Sequence, residues 1–189
     1  MNFADFCYLK RTLFIQEMSR VNPDSTDVNW LALITKYRHE KKVEGQLIEN
    51  GIKCYLPMLN TVRRWSDRKQ KVKIPLFSCY LFVNISPKER IPVLKTNGAV
   101  RFVSFENKPA PIPDDQIQLI RNLLNGDRKI EAVTEYYQGQ SVRVETGPLR
   151  GLKGTFVMNK SESRLLIHLD YIRQSMLVEI DADEIVPAG

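Results

Sequence analysis

The chain is organised around Ile74-Pro75-Leu76-Phe77-Ser78-Cys79-Tyr80-Leu81-Phe82-Val83-Asn84-Ile85, which is apolar at every position from Cys79 to Val83. In a β-strand successive side chains point to opposite faces, so this segment would bury both of its faces. The domain's own helices would cover the first face, which carries Leu81, Val83 and Ile85. The second face carries Tyr80 and Phe82. We expect this aromatic face to stay uncovered, as a surface on which another macromolecule docks.

Two strands and a helix precede this segment. The apolar run at residues 30–34 predicts a short buried strand. Residues 38–50 predict a helix that ends at Gly51. Residues 52–65 predict a second strand, interrupted at Pro57, which forms a hairpin with the segment 74–85. We call its tip, residues 63–73, the basic hairpin, because it carries six basic residues, one acid and a tryptophan.

Two further helices and a strand follow. Ser86-Pro87-Lys88-Glu89 is a capping box with proline at the first helical position, and Pro92 predicts that this helix is short or kinked. Residues 99–105 predict a strand, and the proline-rich residues 107–113 a rigid extended connection. Residues 114–125 predict a third helix with acids in its first turn. Its apolar face carries Ile117, Ile120 and Leu124.

Beyond the mixed and charged residues 127–138, the pattern changes to short strands separated by turn signals. The predicted strands are residues 141–145, 154–158, 164–170 and 176–180. A run of about 50 such residues predicts a small β-barrel. The fold class is therefore α+β: an antiparallel sheet sandwiched by helices, followed by an all-β barrel. The predicted domains are an N-terminal arm (1–28), the α+β domain (29–126), a linker (127–138) and the barrel (139–189).

The positive charge lies in the first part of the chain. The net charge of +6 divides into +8 for residues 1–125 and −2 for residues 126–189. This division suits a polyanion such as nucleic acid near the first domain but not near the second. Charge alone leaves open the alternative of a soluble domain that is merely basic.

Composition argues against several classes of protein. Apolar residues make up 43% of the chain and charged residues 26%, as in soluble domains. No apolar run approaches the ~20 residues of a membrane span, and the first residues lack the basic start of a secretory signal. The three cysteines, Cys7, Cys54 and Cys79, have no metal-ligand spacing, so we expect reduced thiols in a cytoplasmic protein.

Catalysis is not expected. His39 and His168 lie in different predicted domains, and neither has a cysteine or carboxylate at metal-ligand spacing. The sequence contains no phosphate-binding loop and no nucleophile motif, and we expect no cofactor or metal. A small hydrolase that uses Cys79 is a rival interpretation, and it requires a reactive thiol.

Two stretches together resemble a known family. Residues 75–83, which follow the basic hairpin, are similar to the hallmark strand of the NusG N-terminal domain. Val142-Arg143-Val144-Glu145-Thr146-Gly147-Pro148-Leu149-Arg150-Gly151-Leu152-Lys153-Gly154-Thr155-Phe156 resembles a KOW motif. The resemblance covers residues 29–187, and the order of elements agrees with it. It implies a transcription elongation factor of the NusG superfamily, whose all-β module is a KOW barrel.

The amino-acid sequences of these stretches most resemble those of the RfaH-like antiterminators, including the subgroup associated with capsular-polysaccharide operons. Two features are similar to RfaH-like sequences: the run Pro75-Leu76-Phe77…Tyr80-Leu81-Phe82-Val83 and the prolines of residues 109–113. Two positions depart from the pattern. The family usually has Pro and then Gly or Asn where Ser78 and Cys79 stand. RfaH-like proteins also carry a His-Thr-Thr run that touches the polymerase gate loop, where this chain reads Glu89-Arg90-Ile91-Pro92.

The resemblance implies that the N-terminal domain binds the clamp helices of RNA polymerase and thereby suppresses pausing and termination on particular operons. Large aromatic side chains dominate many such interfaces. The implied RNA-polymerase-binding residues are Ile34, Tyr80, Phe82, Ile117 and Ile120. The alternative is that Tyr80 and Phe82 simply complete a core.

Nucleic acid is expected at the basic residues. Non-template or upstream DNA would run beside the basic hairpin, where each phosphate contact adds affinity without choosing a sequence. Trp65 would stack on an unpaired base. The nucleic-acid-binding residues are Lys36, carried over from the resemblance, and Arg63, Arg64, Trp65, Arg68, Lys69, Lys71 and Lys73. A second candidate patch contains Arg38, Lys41 and Lys42. A solvated hairpin tip is the alternative interpretation.

The C-terminal module has its own candidate surface. Gly147, Gly151 and Gly154 are predicted turn residues that need backbone freedom. Leu149, Arg150 and Leu152 lie on the turn that family members present to a ribosomal protein or a termination factor. We expect a β-structured module in a monomeric protein. A ribosome- or RNA-associated KOW protein is the rival function, and the charge of −2 argues against it.

Overall fold

The structure is a computed structural model that describes residues 27–64, 69–105, 108–126, 128–133, 139–147, 149–159, 162–169, 171–172 and 174–188. It describes only the backbone of residues 62–64, 69, 133, 158–159, 162 and 182. The N-terminal arm predicted for residues 1–28 lies outside the described residues except at its last two positions.

In chain order the elements are β1 (Asn29–Thr35), α1 (Glu40–Glu49), β2 (Lys53–Tyr55), β3 (Met58–Arg64), β4 (Lys69–Pro75), β5 (Tyr80–Ile85), a 3-10 helix (Pro87–Glu89), α2 (Arg90–Leu94), β6 (Ala99–Phe102), β7 (Ser104–Phe105), β8 (Lys108–Pro109), β9 (Pro111–Ile112), α3 (Asp114–Asn125), β10 (Ile130–Val133), β11 (Gln140–Val144), β12 (Lys153–Asn159), β13 (Glu162–Leu169), β14 (Gln174–Glu179), a second 3-10 helix (Ala182–Glu184) and β15 (Ile185–Pro187).

The described chain divides into two compact units. The first contains residues 27–55 and Leu81–Pro113, and the second contains Leu56–Tyr80 and the chain from Asp114 onward. The units therefore do not follow the predicted boundary at residue 126, since the β3–β4 hairpin and α3 group with the C-terminal strands. We describe each unit separately.

A sheet with the strand order β2-β5-β1-β6 forms the centre of the first unit, and β9 also pairs with β1. The β2–β5, β1–β6 and β1–β9 pairings are antiparallel. Side chains from β1, β5, α1 and α2 form a core in which no surface is exposed. These side chains are Leu33, Val43, Leu81, Val83 and Val93. Burial of such aliphatic side chains stabilises the unit by about 1.5–3 kcal/mol each.

The helix before β6 begins as its sequence predicts. The Glu89 carboxylate accepts hydrogen bonds from the Ser86 backbone N–H at 2.8 Å and from the Ser86 hydroxyl at 2.7 Å. The pKa of Glu89 is lowered because these backbone and side-chain hydrogen bonds favour the carboxylate. Pro92 lies within α2, which has only five residues. The predicted short helix is confirmed.

Six strands in the order β10-β14-β13-β12-β11-β15 form the main sheet of the second unit, and β3 and β4 form a separate hairpin. The pairings of the six strands are antiparallel. Leu165, Met176 and Val178 are completely buried, and Val157, Leu166 and Leu177 form a second buried cluster. The predicted α+β class, with antiparallel sheets and few helices, is confirmed.

Several details differ from the sequence prediction, among them the following. Residues 130–133 of the predicted linker form β10, which pairs with β14. Within the predicted extended connection, residues 108–109 and 111–112 form the short strands β8 and β9, whose pairing the sequence did not predict. The buried face of α3 ends at Leu123, not Leu124, because Ile117, Ile120 and Leu123 follow one another at three-residue spacing.

Candidate functional site

A tight turn leads into β5. The Tyr80 N–H donates a hydrogen bond to the Phe77 carbonyl at 3.3 Å, and Cys79, the third residue of this turn, has a φ of 67°. Glycine and asparagine are the usual residues at a third turn position with positive φ. The backbone at residue 79 therefore favours glycine or asparagine, although this chain has cysteine there.

Phe82, on the aromatic face of β5, is covered. It lies opposite Tyr55 of β2, the two rings stack with their centroids 6.4 Å apart, and Phe82 is only 1% exposed. On neighbouring β1, Trp30 is also buried, with Lys53 Nζ 5.6 Å from its ring centroid. The predicted uncovered face is therefore wrong for Phe82, because a single-strand pattern does not show what packs over each face.

The other predicted polymerase-binding residues divide into two groups. Ile34 on β1 and Tyr80 at the start of β5 are half-buried and retain exposed surface. Ile117 and Ile120 are each 1% exposed on the buried face of α3. Of the five predicted residues, only Ile34 and Tyr80 therefore offer surface to a partner in this structure.

A second tight turn presents Lys36 together with an aromatic residue that sequence reasoning missed. The His39 N–H donates to the Lys36 carbonyl at 3.0 Å, and the Lys36 N–H donates to the Gly98 carbonyl at 2.8 Å. Tyr37 is 64% exposed, and the Arg38 guanidinium lies 5.2 Å from its ring centroid. Tyr37 was recognisable as an aromatic residue between two cations, at the junction of a predicted strand and a predicted helix.

Charge surrounds this turn. The side chains of Lys36, Arg38, Lys41 and Lys42 are all exposed. Arg38 has a φ of 60°, in the left-handed region that is uncommon for a residue with a side chain. The turn and the start of α1 thus combine several cations with an exposed aromatic ring, which is a common composition for single-strand nucleic-acid binding.

The basic hairpin is described only in part. Its backbone pairs Arg63 with Gln70 and Arg64 with Lys69. Lys71 and Lys73 on β4 are exposed. The side chains of Arg63, Arg64 and Lys69, and the whole of Trp65 and Arg68, lie outside what the structure describes. Their predicted contacts with nucleic acid stay predictions.

Two of the three glycines predicted as turn residues in the C-terminal module do lie in turns. Gly147 has a φ of 77° and Gly151 a φ of 86°. Gly154 instead lies in β12, where an added Cβ would be 2.7 Å from the Leu166 carbonyl oxygen, so close strand packing explains it. Leu149 is only 6% exposed, which contradicts its predicted place on an exposed surface, whereas Arg150 is exposed and Leu152 half-buried.

The amino-acid sequence matches a known protein family. The family model described as "Transcription termination factor nusG" matches residues 28–121. The chain belongs to the NusG family.

NusG proteins of known sequence match most of the chain. The transcription termination/antitermination protein NusG of Thermus thermophilus is 26% identical over 183 residues, which cover 85% of this chain and 99% of that protein. The Borreliella burgdorferi protein of the same name is 21% identical over 179 residues, with 82% and 96% covered. The chain is thus a NusG-like transcription termination/antitermination factor.

A solved structure, "Domain interaction in Thermotoga maritima NusG", supports the fold of this NusG-family chain. Its TM-score is 0.52 at 20% sequence identity, with 86% of this chain and 98% of that chain covered. At this identity the likeness concerns the fold alone. None of the helices in the described ranges is long and apolar enough to cross a membrane.

The thiol and imidazole groups of this NusG-family protein do not form a reactive cluster in the described ranges. Burial, together with the Glu44 charge, raises the pKa of Cys54 to about 11, so its thiol is protonated near neutral pH. His168 Nδ1 lies 2.6 Å from the hydroxyl of Ser175, which is itself buried. Within the described residues, no group of three or more His, Cys, Asp or Glu side chains is placed to hold a metal ion.

Proposed function

We propose that this protein is a specialised, RfaH-like antitermination factor that binds the clamp helices of RNA polymerase and suppresses pausing and termination on particular operons. Capsular-polysaccharide operons are the preferred targets. The observation that supports this best is the difference in burial between residues of β5. Leu81 and Val83 lie in the core of the first unit, while Tyr80 keeps exposed surface at the end of the strand.

In this proposal the five polymerase-binding residues have different tasks. Ile34 and Tyr80 contact the clamp helices directly, since both retain exposed surface. Phe82 is buried in the first unit, and Ile117 and Ile120 are buried in the second, so each stabilises the unit that contains it. The factor favours elongation by binding the closed-clamp state more tightly than the open state, because only differential affinity shifts such an equilibrium.

The basic groups give the factor a second partner. Non-template or upstream DNA would contact Lys36 and Tyr37 at the exposed turn, and Lys71 and Lys73 on the basic hairpin. The C-terminal strands would act as a KOW barrel, whose exposed Arg150 contacts a ribosomal protein or a termination factor. Clamp binding places the protein on the polymerase, and the cations hold the nearby strand by salt-dependent contacts.

In vitro transcription through a terminator tests this function. Reactions with and without the protein are run on templates that carry or lack a capsular-operon leader. We expect more read-through with the protein, and more on the template with the leader. A Tyr80→Ala variant should lose the effect, while Tyr171→Ala, which changes another half-buried tyrosine, should retain it. Equal read-through with and without the protein would contradict the proposal.

A further inference from the structure

The segment that follows α3 is attached to the C-terminal sheet by several contacts, which include a hydrogen bond from the Glu179 N–H to the Lys129 carbonyl at 3.0 Å. The Arg128 guanidinium donates to both carboxylate oxygens of Glu184, at 2.7 and 2.8 Å, and to the Glu179 carbonyl at 3.1 Å. The four residues of β10 pair with β14. Arg164 of β13 also forms a 2.9 Å ion pair with Glu131.

These contacts are mainly polar. Ile130 is buried at 7% exposure, but Glu131 and Ala132 are exposed. Burial of apolar surface supplies most of the stability of a packed element, and among the described side chains of β10 only that of Ile130 supplies any. β14 also pairs with β13 along its other edge, so the remaining five strands keep their pairing when β10 leaves. An element with few buried apolar contacts is the kind that opens locally.

We propose that residues 128–133 are a detachable strap, whose attachment to the edge of β14 through the Arg128–Glu184 pair sets the length of the tether between α3 and the C-terminal sheet. With the strap attached, only residues 126–127 separate α3 from its anchored residue Arg128. With the strap released, residues 126–139 connect α3 to β11.

The two states differ greatly in reach. At about 3.3–3.6 Å per residue the attached tether spans at most ~11 Å, whereas the released tether spans ~50 Å when extended. The attached strap therefore keeps the sheet close to α3 at a high effective concentration, and release lowers that concentration. This inference does not depend on which partner the sheet binds.

Hydrogen exchange of the full chain, followed by mass spectrometry, tests the strap. In the wild type we expect peptides from residues 128–133 to exchange faster than peptides from β13, because β10 opens without global unfolding. Glu184→Gln should accelerate exchange in residues 128–133 by about tenfold, the loss expected for one charge-assisted pair, and leave β13 unchanged. The control Glu145→Gln removes the more exposed Arg143–Glu145 pair and should leave both regions unchanged.

A second measurement applies even if the Glu184→Gln variant does not fold. Raising NaCl from about 0.05 to 1 M screens partly exposed ion pairs and should accelerate exchange of residues 128–133 alone in the wild type. The strap is refuted if β10 and β13 exchange together in the wild type. It is also refuted if Glu184→Gln accelerates both regions equally or neither, or if salt leaves exchange of residues 128–133 unchanged.

Discussion

The rings of Tyr55 and Phe82 stack across the β2–β5 pairing with an interplanar angle of 25°. Phe82 is almost completely buried, whereas Tyr80, two residues earlier on the same strand, is half-buried. Strand β5 thus combines a structural aromatic with a partly accessible one, and mutation should separate the two roles.

Phe82→Ala should lower the free energy of unfolding by about 3–5 kcal/mol, because it leaves a cavity in the core. Tyr80→Ala should cost roughly 1 kcal/mol, since part of its ring is already in water. Urea denaturation of the two variants measures both values. A Phe82→Ala variant as stable as Tyr80→Ala would show that Phe82 is not a core residue.

Cys79→Gly should stabilise the protein by about 1 kcal/mol, because the left-handed conformation costs a residue with a Cβ about 1–2 kcal/mol. The matched control is Ser78→Gly, at a neighbouring exposed position without a positive φ, where glycine should be neutral or destabilising. Thermal unfolding compares the variants. A lower melting temperature for Cys79→Gly would contradict the inferred backbone strain.

Gly147→Ala and Gly151→Ala form a matched pair, since both glycines have positive φ. A Cβ at residue 147 would collide with Glu184 Oε1, whereas one at residue 151 would meet open space. We expect each substitution to cost about 1 kcal/mol in backbone strain. Gly147→Ala should cost more, because it also displaces the Arg128–Glu184 pair. Equal losses in chemical denaturation would show that the collision is relieved at no cost.

Acidic pH should lower the stability of the folded protein by protonating Glu184. Its pKa is lowered, first because Arg128 donates hydrogen bonds to its carboxylate. A lowered folded pKa means that this carboxylate stabilises the fold above its unfolded pKa of about 4.3, and that the contribution is lost as pH falls through the folded value. The melting temperature of Glu184→Gln should therefore fall less than that of the wild type between neutral and acidic pH. Parallel curves would contradict this.

The exposed turn should bind single-stranded DNA through both stacking and charge. Tyr37→Ala should weaken binding of a fluorescent oligonucleotide by about 1–3 kcal/mol, whereas Tyr37→Phe, which keeps the ring, should not. Lys71→Gln should reduce the salt dependence of binding by about one phosphate contact. Lys153→Gln, at an exposed lysine of β12, is the control. If the dependence of binding affinity on salt concentration is identical for all variants, the basic hairpin does not contact the DNA.

Local sequence patterns predicted those helices and strands whose ends and buried faces depend on nearby residues. Helix α3 spans the predicted residues 114–125, because acids mark its first turn and Gly126 follows its last residue. Four strands of the C-terminal sheet, β11 to β14, lie within one or two residues of their predicted ends, whereas β10 and β15 were not predicted. Their alternation, their β-branched residues and the turn glycines are all local signals.

Long-range packing was not predictable in the same way. The pattern of β5 showed that two faces would be apolar, but not that Tyr55 would stack on Phe82. Strand β10 was not predicted, because its sequence, Ile-Glu-Ala-Val, is short. The Arg128–Glu184 pair beside it joins residues 56 positions apart, which a local pattern does not show. Tyr37 stands between two cations in the sequence, but the sequence does not show that its side chain is 64% exposed in a turn.

The most direct test is the affinity of full-length Tyr80→Ala for a purified RNA polymerase elongation complex, with Tyr171→Ala as the control. We predict that Tyr80→Ala raises Kd at least about tenfold, the effect of removing an interface aromatic, while the control binds like the wild type. A Tyr80→Ala variant that is folded and binds within about twofold of the wild type, a difference under ~0.5 kcal/mol, would contradict clamp-helix docking at the start of β5.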